Sequence, residues 1–163
     1  MKEVHMVRFA EEKDLPRVNE LREQVAALHA SGRPDIFRPD FCQELRDRAG
    51  EMLRRGNSGI LVAERDGTVC GMAGVEYLTC PESPYSCERE FCHVAEFGVD
   101  KAFQRQGVGR ELMEFIRKDA LARGFSRVEL DVWEFNADAL EFYGAIGFQP
   151  FRRFLEWDLE QGK

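Results

Sequence analysis

The chain has 163 residues with 44% hydrophobic content, which suits one domain with a full core, expected here to run over 1–163. Its formal net charge of -7 disfavours nucleic acid as an obligatory partner, because neutralising phosphates requires a basic surface. The polar N-terminus does not resemble a signal peptide and no apolar run is as long as a membrane span, so the expectation is a cytoplasmic protein without membrane attachment.

From Val4 to Phe9 apolar and polar residues alternate, predicting a first strand. Asp14 is placed to cap a helix with Val18, Leu21, Val25 and Leu28 as its buried face, Pro16 in its first turn and Ser31-Gly32 at its end. Residues 32–39 read as an ordered loop, with Ile36 and Phe37 expected to plug it onto the core. Asp40 is expected to cap a second helix, with Phe41, Leu45, Ala49, Met52 and Leu53 inward and Gly56 as its stop.

Two strand-like runs, Gly59 to Glu64 and Thr68 to Tyr77, flank Arg65-Asp66-Gly67, an Asp-Gly hairpin signal. Residues 79–90 lack periodicity and predict a long loop, and Phe91 to Val99 resumes as a strand. The five cysteines are odd in number and irregularly spaced, which predicts free thiols. Cys80, Cys87, Cys92 and His93 could be drawn as a metal site, but they contain no C-x-x-C pair and no metal is expected.

The strand from Phe91 leads into Gln104-Arg105-Gln106-Gly107-Val108-Gly109-Arg110 and then into helical periodicity carried by Val108, Leu112, Phe115, Ile116 and Ala120, stopped by Gly124. The first backbone N–H groups of such a helix have no internal partner and sit at the positive end of its dipole, so a phosphate is a natural ligand. Gly107 and Gly109 permit close approach, and Arg105 and Arg110 add local positive charge. After this helix Arg127 to Trp133 alternates as a strand. Asn136 then caps a short helix ended by Gly147, and Phe148 to Leu159 reads as one or two final strands.

Gln104-x-x-Gly107-x-Gly109 resembles the Q/R-x-x-G-x-G/A pyrophosphate loop of the GNAT superfamily of acyl-CoA-dependent N-acyltransferases. The downstream Asn136-x-x-Ala139-x-x-x-Tyr143-x-x-x-Gly147-Phe148 is similar to that family's second conserved segment. A dinucleotide fingerprint fits less well, since its third glycine position is Leu112 and too little chain follows for two mononucleotide-binding halves. A merely structural tight turn is the remaining alternative. The element order βααβββαβαββ, an α/β fold with a mixed, mostly antiparallel sheet and helices on both faces, is similar to the GNAT layout.

The resemblance implies acetyl-CoA as cosubstrate and a primary amine, small-molecule or peptide, as acceptor. It places the pantetheine arm along Phe97, Gly98 and Val99, with Asn136 contacting the cofactor arm and Tyr143 protonating the departing thiolate. An amine arriving protonated needs a base; Glu96 is the first candidate and His93 the second, with neither required if water serves. Three apart on a regular strand, their side chains face opposite sides, unless a bulge alters the parity. Transfer through an acyl-Cys92 lacks a supporting His and acid, so direct attack in a ternary complex is expected. An acyl-CoA-binding sensor of the same fold is the alternative. The chain's acidity suits a cationic acceptor contacted by residues 32–39 and 79–90, while acceptor identity and oligomeric state, a homodimer included, are left open.

Overall fold

The computed structural model describes residues 5–160, so Val4 of the predicted first strand lies outside them. The chain divides into two compact units, one ending at Asp131 and one beginning at Val132.

In the first unit a five-stranded sheet runs in the order β1 (His5–Phe9), β2 (Ser58–Arg65), β3 (Thr68–Cys80), β4 (Arg89–Val99) and β5 (Val128–Leu130). Strands β1 to β4 are antiparallel, and β5 joins β4 in parallel over three residue pairs. The turn between β2 and β3 puts Asp66 at φ 47° and Gly67 at φ 79°, the two left-handed positions that an Asp-Gly hairpin requires.

Helices α1 (Leu15–Gly32) and α2 (Gln43–Arg54) cover one face of the sheet, where Val18, Leu21, Ala49, Ile60, Val62 and Met72 form a core. Helix α3 (Val108–Ala122) covers the other, with Val108, Leu112 and Ile116 buried as its periodicity predicts. Gly71 faces α3 so closely that an added Cβ would sit 2.8 Å from Val108 Cγ1. Gly74, three residues on, faces α2, where the same atom would meet Met52 Sδ at 2.8 Å. No described helix is long and apolar enough to cross a membrane.

Several local expectations are corrected. Asp14 does not cap α1 with its side chain; both its carboxylate oxygens accept from Arg8, at 2.7 and 3.0 Å, and one also accepts from the Glu11 N–H. Cys42, not Asp40, stands at the N-cap of α2 and makes no side-chain cap bond. On α1, Leu28 is 49% exposed, whereas Asn19 and Arg22 are buried beside Val18 and Leu21. Phe37 stacks on His29 at 5.2 Å, but Ile36 is exposed and plugs nothing.

In the second unit α4 (Ala137–Ala145) is capped by Asn136, whose side chain accepts from the Ala139 N–H at 3.2 Å, and the chain leaves it through Gly147 at φ 106°. The expected strands between Phe148 and Leu159 are absent among the described residues; Phe151, Phe154, Leu155, Trp157 and Leu159 are all strongly exposed. The order is therefore βααβββαβα.

Candidate active site

The site is organised by one extra residue in β4. Glu76 pairs with His93 and Val75 with Val94, but Gly74 pairs with Glu96, which leaves Ala95 as a β-bulge. A regular strand would turn His93 and Glu96 to opposite faces. The bulge restores the parity, and both side chains lie on the α1/α2 face, opposite the alternate β3 residues Glu76 and Gly74.

Glu96 is gripped by a buried arginine. Arg22, 7% exposed, donates Nε to Oε2 at 2.7 Å and Nη2 to Oε1 at 2.8 Å, a bidentate pair. Its remaining N–H groups reach Asn19 Oδ1 at 2.8 Å and the Leu45 carbonyl at 2.5 Å, so Arg22 is fixed from both helices. Sequence reading missed Arg22. The available signal was an arginine at the position of the α1 apolar stripe four residues after Val18.

His93 stands between two carboxylates, with Nδ1 3.4 Å from Glu76 Oε2 and Nε2 3.7 Å from Asp131 Oδ2. Cys92 points to the α3 face and is 1% exposed, and burial pushes its thiol up to about 11. It therefore neither converges with His93 nor offers a thiolate to solvent.

Among the described residues β5 pairs with β4 only from Cys92 to Val94, before Phe97, Gly98 and Val99. Gly98 owes its size to packing, since a Cβ would meet Val25 Cγ2 of α1 at 2.7 Å. Gln104 closes one acceptor by donating to the Val99 carbonyl at 3.2 Å.

The glycine turn follows directly. Arg105 takes φ 61° and Gly107 φ 85°, left-handed conformations that leave Gly107 as the N-cap of α3. The side chains of Gln104, Arg105, Gln106 and Arg110 are exposed around it, Gly109 is half-buried, and Val108 is buried under α3, so that Val108 contributes only its N–H. Asp100 anchors the turn by accepting from the Ala102 N–H at 2.8 Å and from Arg17 of α1. The first-turn N–H groups of α3 thus face outward over a residue with no Cβ, the arrangement that a pyrophosphate fits.

In the second unit Tyr143 packs its ring against Phe142 at 5.3 Å and Phe148 at 5.6 Å. Desolvation pushes its phenol up to about 12, so the group is protonated at neutral pH.

Next to Glu96 the structure has a cleft of about 290 Å³ lined by Arg22, Arg48, Glu51, Met52, Arg55 and Glu96. Neither loop 32–39 nor loop 79–90 contributes to it. Arg48, Glu51 and Met52 fall at i, i+3 and i+4 along α2, one stripe facing the cleft, and Arg55 follows at the C-cap in extended conformation.

An N-acetyltransferase of Methanocaldococcus jannaschii is 31% identical over 106 residues, 65% of this chain and 46% of that protein. The L-ornithine N5-acetyltransferase of Arabidopsis thaliana is 29% identical over 82 residues, 50% of this chain and 35% of that protein. The chain spans less than half the length of these curated relatives. Among solved structures, a mutant of the BH1408 protein from Bacillus halodurans matches with a TM-score of 0.91 at 26% identity, over 94% of this chain and 99% of that one. The aminoglycoside N-acetyltransferase AAC(6')-Iy in complex with CoA shares the fold, with a TM-score of 0.78 at 16% identity over 98% of this chain and 97% of that one. Residues 8–148 match the acetyltransferase (GNAT) family, and the chain belongs to that family.

Proposed function

We propose that the chain transfers an acetyl group from acetyl-CoA to a primary amine by direct attack in a ternary complex. The observation that carries this reading is the run from β4 to α3, where a bulged strand leads into an exposed left-handed turn at a helix N-terminus. The family match extends across both units and supports one acetyltransferase domain.

Acetyl-CoA, when bound, supplies the activated acetyl thioester. The backbone N–H groups of Gln104 to Arg110 hold its pyrophosphate, and the backbone along Phe97, Gly98 and Val99 orients the pantetheine arm. Asn136 contacts that arm while capping α4. An amine of reference pKa about 10.4 must lose a proton before attack. Glu96 receives and orients it through the lone pairs that Arg22 leaves, directly or through a water, and His93 on the same face takes up the proton. Tyr143 holds the proton destined for the leaving thiolate. Burial of Cys92 argues against an acyl-cysteine route.

Thermal unfolding with saturating acetyl-CoA tests the reading. Ligand at 100 times Kd stabilises by about 2.7 kcal/mol, a rise of roughly 5–10 °C for a chain of this size. Gly107→Glu is expected to abolish the rise, and absence of a rise in the wild type refutes the cofactor site. The engagement of both Glu96 oxygens by Arg22 favours, as a second reading, a binding module without turnover; thiol release with a panel of amines decides between the two.

A further inference from the structure

We infer that Arg65 sets the affinity for acetyl-CoA by neutralising Glu111, the one acid in the first turn of α3; this rests on the reading above, in which that helix N-terminus holds the pyrophosphate. Arg65 is the last residue of β2 and is 8% exposed. Its Nη2 donates to Glu111 Oε1 at 2.7 Å, and its Nη1 reaches the Glu64 carbonyl at 3.3 Å. The Glu111 N–H bonds the Gly107 carbonyl at 3.1 Å, which puts this acid one turn from the N-cap.

A carboxylate in a first helical turn suits the helix dipole, but it opposes a phosphate that comes to the same N–H groups. The stretch from Asp100 to Glu111 carries two acids, and each is met by an arginine from another element. Asp100 accepts from Arg17 of α1, and Glu111 from Arg65 of β2. Lys101, Arg105 and Arg110 of the same stretch are exposed, so the charge it presents outward is positive. His5 of β1 also lies near, with Nδ1 3.5 Å from the same Glu111 oxygen. One helical turn is about 5.4 Å, shorter than the screening length of about 8 Å at physiological salt, so an anion at the N-terminus feels whether Glu111 is paired. Arg65 acts through Glu111 and is in this sense a positioning residue.

The experiment measures Kd for acetyl-CoA and for CoA by titration calorimetry at one fixed pH, so that His5 is common to every variant, together with the melting temperature without ligand. Arg65→Met should lower the melting temperature and raise Kd by about 3- to 30-fold, the effect of one uncompensated charge at this range. Glu111→Gln should lower Kd by a similar factor, because it leaves Arg65 uncompensated, although it gains no stability. Arg65→Met/Glu111→Gln should return Kd to within about 2-fold of wild type, and the differences should shrink near about 1 M salt. A purely structural pair would weaken binding in both single variants, and that outcome overturns the inference. So does a Kd in Arg65→Met equal to wild type, or a double variant that binds no better than Arg65→Met. Should Arg65→Met fail to fold, Glu111→Gln decides alone: tighter binding supports the inference, and unchanged or weaker binding overturns it. Wild-type protein that binds neither CoA species would instead overturn the reading beneath it.

Discussion

Removing Arg22 tests whether Glu96 is held by a buried guanidinium. Arg22→Met keeps much of the apolar stem and deletes four hydrogen bonds, two to Glu96, one to Asn19 and one to the Leu45 carbonyl. Removing one member of a fully buried ion pair costs about 3–5 kcal/mol, because the other charge is stranded. Here the Glu96 side chain is 32% exposed, so water takes up part of its charge and the cost falls below that range. The Asn19 amide oxygen, left without Arg22, adds about 1–3 kcal/mol where water cannot reach it, while the Leu45 carbonyl keeps its place in the hydrogen-bond ladder of α2. Taking Glu96 as largely rehydrated and the Asn19 oxygen as dry, a loss of about 2–4 kcal/mol is expected, or roughly 5–15 °C in Tm. Glu96→Gln retains packing and should cost about 1–2 kcal/mol. In urea unfolding near neutral pH the double variant should be more stable than the two losses added together, with a coupling of about 1–3 kcal/mol. A single Arg22→Met variant within about 0.5 kcal/mol of wild type, or strict additivity, would refute the hold on Glu96.

Other perturbations discriminate further. Gly71→Ala places a methyl against Val108 and Leu112, which are buried and cannot turn aside, whereas Gly74→Ala meets the flexible thioether of Met52. The first should cost about 1–3 kcal/mol and the second clearly less, and the reverse order in thermal unfolding would contradict the packing. Asp14 is held below its usual range by the hydrogen bond from Arg8, so its stabilisation is complete above about pH 4 and is lost as pH falls through the depressed folded value. Asp14→Asn should therefore destabilise near neutral pH and flatten the acid limb of the stability curve; an unchanged limb would refute the assignment. Tyr143→Phe should lower kcat by about 10²–10⁴-fold while leaving stabilisation by acetyl-CoA intact. An unchanged kcat removes Tyr143 from the reaction.

What could be read in the sequence was local. The Asp-Gly hairpin, the amphipathic α3 and the Asn136 cap of α4 each follow from residues within one turn of themselves, and all stand where expected. The errors arose where a distant partner decides. Asp14 looks like a cap until Arg8, on β1, claims both its oxygens. Arg22 looks like a break in an apolar stripe until Glu96, in β4, accounts for its burial. Residues 148–159 have apolar content suited to a strand, but a strand also needs a neighbouring edge to receive its N–H and C=O groups, and periodicity carries no information about that edge.

Net charge is silent about the site for the same reason. A total of -7 says nothing of arrangement: the cleft beside Glu96 gathers Arg22, Arg48 and Arg55 with Glu51 and Glu96, while Arg48 also bonds Glu44 and Arg55 lies 3.9 Å from Glu76. The potential felt by a small ligand at close range is set by the charges within a few ångströms, because salt screens exposed charges beyond roughly 8 Å. The bulge at Ala95 determines which charges those are. It brings Glu96 onto the face already occupied by His93 and towards α1 and α2, where Arg22 can reach it. Without the extra residue, Glu96 would lie on the α3 face, and Arg22 would be a buried cation facing Asn19 and a carbonyl alone. The burial of Arg22 and the bulge in β4 thus depend on each other, and deleting Ala95 should damage stability and acetyl transfer together.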